Sequence, residues 1–134
     1  MQDSAKSKFR CIKTIGFTVG LALIAACSTL PAQAATTVVK LTDQEMFTPK
    51  TVTIHAGDAV KWVNASSAVH TVTDDPTLAA SAKDSTLPKG ADAFNSGFLK
   101  AGQTYTYLFK IPGEYHYFCI LHESLSMVGT IVVK

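Results

Sequence analysis

From Thr36 to the C-terminus the chain is written in short runs of Val, Ile, Thr, Tyr and Phe, each closed by turn residues. This punctuation limits the fold more than any other feature, because such runs read as strands. Eight are expected: Val38–Leu41, Thr51–His55, Ala59–Asn64, His70–Thr73, Phe94–Leu99, Gln103–Phe109, Tyr115–Cys119 and Val128–Val133. Ala56-Gly57-Asp58, Ala101-Gly102 and Ile111-Pro112-Gly113-Glu114 separate them. In the last, Pro112 presets φ and Gly113 supplies the positive φ that a type II turn requires. Strands this short and this regularly spaced predict an all-β sandwich or small barrel. Between Asp74 and Asp92 the alternation lapses into a long loop, with one helical turn expected around Leu78–Lys83. At 134 residues, with 47% hydrophobic and 16% charged side chains, the composition is that of one globular domain.

The first stretch does not share the pattern. Lys6, Lys8, Arg10 and Lys13 form a basic cluster, Ile15 to Ala26 an apolar run too short to span a bilayer, and Ala32-Gln33-Ala34 a small-residue cleavage site. Together they predict a secretory signal over residues 1–34 and a mature domain over residues 35–134. Two variants stand beside cleavage after Ala34. One is a membrane anchor left in place; the other is lipidation of Cys27, because Ile24-Ala25-Ala26-Cys27 resembles a bacterial lipobox. No Arg-Arg pair is present, so export of an unfolded chain is expected, with any metal loaded outside the cytoplasm. The expected compartment is the periplasm, with a thylakoid lumen or the outer face of a membrane as alternatives. Removing the leader also changes the charge. The whole chain has 12 basic and 10 acidic residues, whereas residues 35–134 keep eight Lys, no Arg and nine acids. Without a basic stripe or guanidinium forks, nucleic-acid binding has no electrostatic basis.

Export isolates one thiol. Of Cys11, Cys27 and Cys119, only Cys119 lies beyond Ala34, so it is either buried as a small hydrophobe or occupied. Side chains alternate along a strand, so if Tyr115 and Tyr117 face the core, Cys119 does too, and His116 faces the other way. His116 and His55 read as exposed. His122 differs, because it lies in the loop Ile120–Ser126 that must turn the chain back before Val128. Such a loop can bring Cys119, His122 and Met127 round one centre. His70 follows Ala65-Ser66-Ser67-Ala68 at another strand–loop junction, so strand ends at one pole can gather all four. Zinc favours more thiolates or a stronger fourth ligand. Two His, one Cys and a weak axial Met are the donor set of a blue-copper electron-transfer site. The enzymatic alternative, Cys119 as nucleophile with His122 as base, lacks an oxyanion loop and a cleft-forming second domain. Met46 and the alternating Tyr105, Tyr107 and Phe109 are expected in the core.

His70, then Cys119-x-x-His122-x-x-x-x-Met127, set between Gly113-Glu114-Tyr115-His116-Tyr117-Phe118 and Val128-Gly129-Thr130-Ile131-Val132-Val133, resembles the cupredoxins, plastocyanin and pseudoazurin most. The runs Phe47–Ile54 and Ala56–Asn64 look like the second and third strands of that family, so the resemblance spans Val38–Lys134. It implies an eight-stranded Greek-key β-sandwich with one type 1 copper ion held by His70, Cys119, His122 and Met127. It also implies a carrier, not an enzyme, that shuttles single electrons by Cu(II)/Cu(I) cycling. A monomer is expected, with no membrane span after processing, and redox protein partners docking briefly near His122 at a rim of Ile120, Leu121 and Leu125. A copper-delivery protein of the same fold and a metal-free interaction module are the rival functions. Three positions depart from plastocyanin. Thr71 stands where an Asn usually ties the ligand loops together, Phe118 replaces a Tyr of a remote electron-uptake site, and Leu121 replaces a common Pro. No dense acidic cluster is present beyond Asp74-Asp75. These departures bear on the hydrogen bonds around the metal, and so on its potential and its partner.

Overall fold

Period-two alternation sorts the strands as the sequence pattern predicts, and the computed structural model describes residues 33–134; the basic cluster, the apolar run and Cys27 lie outside the described residues. The strands are Thr36–Leu41 (β1), Phe47–Thr48 (β2), Thr51–Ile54 (β3), Ala59–Asn64 (β4), Thr73–Asp74 (β5), Phe94–Asn95 (β6), Thr104–Leu108 (β7), Gly113–Phe118 (β8) and Val128–Val133 (β9). Glu123–Leu125 makes a single 3-10 turn between β8 and β9. Two mixed sheets result, β2-β1-β4-β7 and β3-β9-β8-β5-β6. β1 runs parallel to β4 and β3 parallel to β9, whereas β8 and β9 are antiparallel. The all-β sandwich is as expected, with one short strand, β2, beyond the eight runs.

Every second residue of β4 and β9 is buried, so each sheet lays one face on a shared core. Trp62 of β4 and Tyr117 of β8 meet edge-on with centroids 5.4 Å apart, joining the two sheets at the middle. Tyr117 lies over Gly129 of β9, its register partner, where any Cβ would overlap the phenol ring. Glycine at 129 is therefore a packing requirement, not a flexible point. Phe109 is fully buried, and Tyr105 and Tyr107 pack half-buried against the same cluster.

Three local expectations are corrected. Met46 is 53% exposed, and Phe47 takes the core position instead, its ring 4.6 Å from that of Tyr117. A turn in which Glu45 N–H bonds the Thr42 carbonyl, with Glu45 at φ 51°, swings Met46 outward. The segment around Leu78–Lys83 forms turns and no helical turn. The run His70–Thr73 pairs regularly only from Thr73, and Phe94–Leu99 only at Phe94–Asn95. The cause is chemical: Val72 N–H is taken by Ser96 Oγ (2.8 Å) and Thr71 N–H by Cys119 Sγ (3.2 Å), so side chains replace ladder carbonyls there. His70 and Leu99 keep one isolated bridge.

The long loop is anchored to the second sheet. Thr86 bridges His116, taking up the edge of β8 where β5 leaves off. Ser85 Oγ donates to Asp74 Oδ1 at 2.7 Å, while Oδ2 of this fully buried carboxyl has no hydrogen-bond partner among the described residues. Burial pushes the Asp74 carboxyl up to about 7, against the pull of Ser85 and His116. The folded chain thus keeps a proton that the unfolded chain releases near 3.8, so this group's contribution to stability falls as pH rises from about 4 to about 7. Asp74→Asn cannot ionise and should lose that slope. In urea denaturation across this range, the variant is expected to gain on the parent by on the order of 2 kcal/mol at neutral pH, after allowance for screening. Parallel curves would mean that Asp74 is not the group responsible.

Candidate metal centre

Three strand ends converge at one pole of the sandwich. β8 carries Cys119 one residue past its end, β9 is preceded by Met127, and the His70 bridge precedes β5. The loop between Cys119 and Met127 is closed at its base, where Cys119 N–H bonds the Met127 carbonyl at 3.1 Å. Inside it, His122 N–H bonds the Cys119 carbonyl, and the His122 carbonyl accepts from Leu125 and Met127. Ser126, at φ 63°, makes the left-handed step that ends the 3-10 turn. The sequence compels a tight loop here, and the loop bends His122 back over the thiol.

His70 Nδ1, Cys119 Sγ and His122 Nδ1 form a triangle. Its sides are 3.9 Å from His70 to Cys119, 3.4 Å from Cys119 to His122 and 3.1 Å between the imidazoles. A point about 2 Å from each atom lies between them, the length of a transition metal–imidazole bond. Cys119 and His70 are fully buried and His122 is half-buried. Met127, fully buried, stands at the base of the same loop. No carboxylate belongs to the group. Its donors are soft or borderline, which suits copper better than a hard cation. Burial, and then the neighbouring His122, holds the His70 imidazole below its ordinary pKa. A ring kept neutral retains the lone pair that a metal needs.

The other histidines lie elsewhere. The His55 side chain is 81% exposed. His116 is half-buried and bonded to the Glu114 carboxylate and the Lys83 carbonyl. Burial lowers its pKa, but those hydrogen bonds outweigh it and hold the ring above its ordinary value. Two residues that sequence patterning does not single out also bear on the site, one by contact and one by anchoring its loop. Ser66 Oγ sits 2.8 Å from His70 Nε2. Glu123, next to His122, accepts the backbone N–H groups of Ala80 and Ser81 on its two carboxylate oxygens, at 3.0 Å each. It thereby ties the long loop to the ligand loop. Neither side chain lies in a periodic pattern, so only the folded chain reveals them.

Comparison with known proteins agrees with this geometry. A family model described as copper binding proteins, plastocyanin/azurin family, matches residues 34–134. The chloroplastic plastocyanin of Tetradesmus obliquus is 35% identical over 127 residues, covering 92% of this chain and 77% of the relative. A plastocyanin of Nostoc punctiforme is 38% identical over 115 residues, 81% of each chain. Among solved structures, native pseudoazurin from Hyphomicrobium denitrificans has the same fold, with a TM-score of 0.60 at 23% identity over 74% of this chain and 75% of that one.

The departure at Thr71 does not leave the ligand loops untied. Thr71 Oγ1 accepts the Ile120 N–H at 2.8 Å while Thr71 N–H points at the Cys119 sulfur. One threonine thus clamps both sides of the thiol. Thr71→Val keeps the shape and removes the acceptor, leaving the Ile120 N–H without its partner. A loss of about 1–3 kcal/mol in denaturant unfolding is expected; an unchanged midpoint would show that the clamp contributes nothing.

Proposed function

This chain belongs to the plastocyanin/azurin family of copper-binding proteins, and we propose that it carries single electrons with one copper ion held by His70, Cys119, His122 and Met127. The observation behind the ligand assignment is the triangle of one sulfur and two ring nitrogens, two of its three residues fully buried, with a buried methionine closing the same loop. Bound there, copper supplies a one-electron Cu(II)/Cu(I) couple. The chain is an electron carrier and not an enzyme. The protein's part is to hold the donors still. Thr71 and the Cys119–Met127 backbone bond fix the loop at both ends, so the donor atoms have little freedom to rearrange between oxidation states. A copper-delivery protein would need that loop to open, which these ties oppose.

His122 is the exit for the electron. His70 is fully buried, whereas His122 reaches the surface among Ile120, Leu121 and Leu125, which are 37%, 46% and 62% exposed. An apolar rim of this size suits brief docking of a redox partner, with the chain acting as a monomer. Residues 1–34 act as an export signal cut after Ala34, which places the domain 35–134 in the periplasm without a lipid anchor at Cys27. In support, Ala35, the first residue beyond that cut, is tied into the sandwich, its N–H bonding Asp58 Oδ1 at 2.8 Å. No helix among the described residues is long and apolar enough to cross a membrane.

Adding Cu(II) to the purified domain should give an intense blue protein with small copper hyperfine splitting in EPR, and Cys119→Ser should give neither. A colourless parent protein would remove the copper reading. Leu121→Asp should slow the bimolecular electron exchange with the physiological partner by about tenfold while the visible spectrum stays unchanged. An unaltered rate would place the port elsewhere.

A further inference from the structure

The proton positions around His70 follow from a chain of hydrogen bonds that starts at two backbone carbonyls. Asn64, inward-facing at the end of β4 and fully buried, places Nδ2 2.7 Å from the Ala68 carbonyl and 2.8 Å from the Leu99 carbonyl. Carbonyl oxygens only accept, so the amide nitrogen must face them, and the orientation of the Asn64 amide is fixed. Its Oδ1 is thereby turned to Ser66, where it takes the backbone N–H at 3.0 Å and lies 2.8 Å from Oγ. Ser66 is 3% exposed. Its single hydroxyl proton is committed, because both Asn64 Oδ1 and the Ala68 carbonyl, 3.2 Å away, can only accept. What the hydroxyl offers to His70 Nε2, 2.8 Å away, is a lone pair. His70 Nε2 must therefore carry the ring proton, which leaves Nδ1 bare and aimed at Cys119 and His122.

We propose that Asn64 and Ser66 form a hydrogen-bond relay that holds His70 in its Nε2–H tautomer and so sets the copper affinity and potential of the centre. Ser66 is a positioning residue, acting on the metal only through His70. An acceptor on the far nitrogen raises the basicity of the ligating one, and partners of this kind are typically worth about 10–100-fold in metal affinity. A more basic nitrogen favours the more highly charged ion, so the relay stabilises Cu(II) over Cu(I) and lowers the potential. The inference rests on the copper reading given above.

The test compares the copper-loaded parent, Ser66→Ala and Ser66→Thr. Ser66→Ala should lose about tenfold in Cu(II) affinity. If that loss falls on Cu(II) alone, the potential rises by about 59 mV, the value of one decade for a one-electron couple. Ser66→Thr, which keeps the hydroxyl, should return toward the parent value. In nitrogen-15 NMR of the parent, with Cu(I) and without metal, the His70 ring should show the Nε2–H tautomer with a slowly exchanging proton. Ser66→Ala should speed that exchange at least about tenfold, because the proton loses its acceptor. A change in unfolding midpoint alone, with potential and exchange unaltered, would reduce Ser66 to a packing role and overturn the relay. So would an Nδ1–H tautomer in the parent. If Ser66→Ala does not fold, the parent tautomer and the Ser66→Thr potential decide the question. A parent that takes up no copper removes the copper reading and, with it, the assigned role in copper affinity and potential. A blue parent whose potential Ser66→Ala does not shift removes the relay and leaves the copper reading standing.

Discussion

The buried sulfur of Cys119 is the point on which the pole of this sandwich is organised. It sits at the end of β8 with no solvent exposure, receives the Thr71 N–H and faces two imidazole nitrogens. Taking that N–H from the ladder cuts the expected His70–Thr73 strand short. The same diversion lets His70 stand as an isolated bridge with its ring turned inward. The site and the irregular strand are therefore one feature. A regular ladder through Thr71 would leave the sulfur without its donor.

Much of this arrangement was legible in the residues. Alternation along Tyr115–Cys119 put the thiol inward, and the spacing to His122 and Met127 forced a tight loop, which the structure forms. The sandwich itself follows from strand length and punctuation. What did not show in the sequence has a common physical cause: it depends on which hydrogen-bond partner a backbone or hydroxyl group finds across the fold. Thr71 compensating for a missing Asn, Ser66 bonding a ring nitrogen and Ser96 interrupting a ladder are all choices of this kind. Met46 is a further case, where the hydrophobic pattern offers two adjacent candidates for one core position. The local turn with Glu45 at positive φ decides for Phe47.

The core behind the pole supplies the rigidity that the donors borrow. Trp62, Tyr117, Phe94 and Phe109 interlock with ring centroids 5.4–6.3 Å apart, and Tyr117 fills the space that Gly129 leaves. Close-packed rings of this kind have low compressibility, so a local movement there carries a collective cost. β8 and β9, which flank the ligand loop, are anchored in that cluster through Tyr117 and Ile131. The loop is therefore short, clamped at its base and joined to strands packed into that core.

The carboxylate of Glu123 has a consequence for transplanting this loop. It belongs by sequence to the metal-binding segment, yet its two oxygens are satisfied by Ala80 and Ser81, some forty residues upstream. The segment from Cys119 to Met127 is consequently not a portable cassette. Grafted onto another scaffold of the same fold without that turn, it would carry an unpaired anion beside His122. A successful chimera has to move both pieces together.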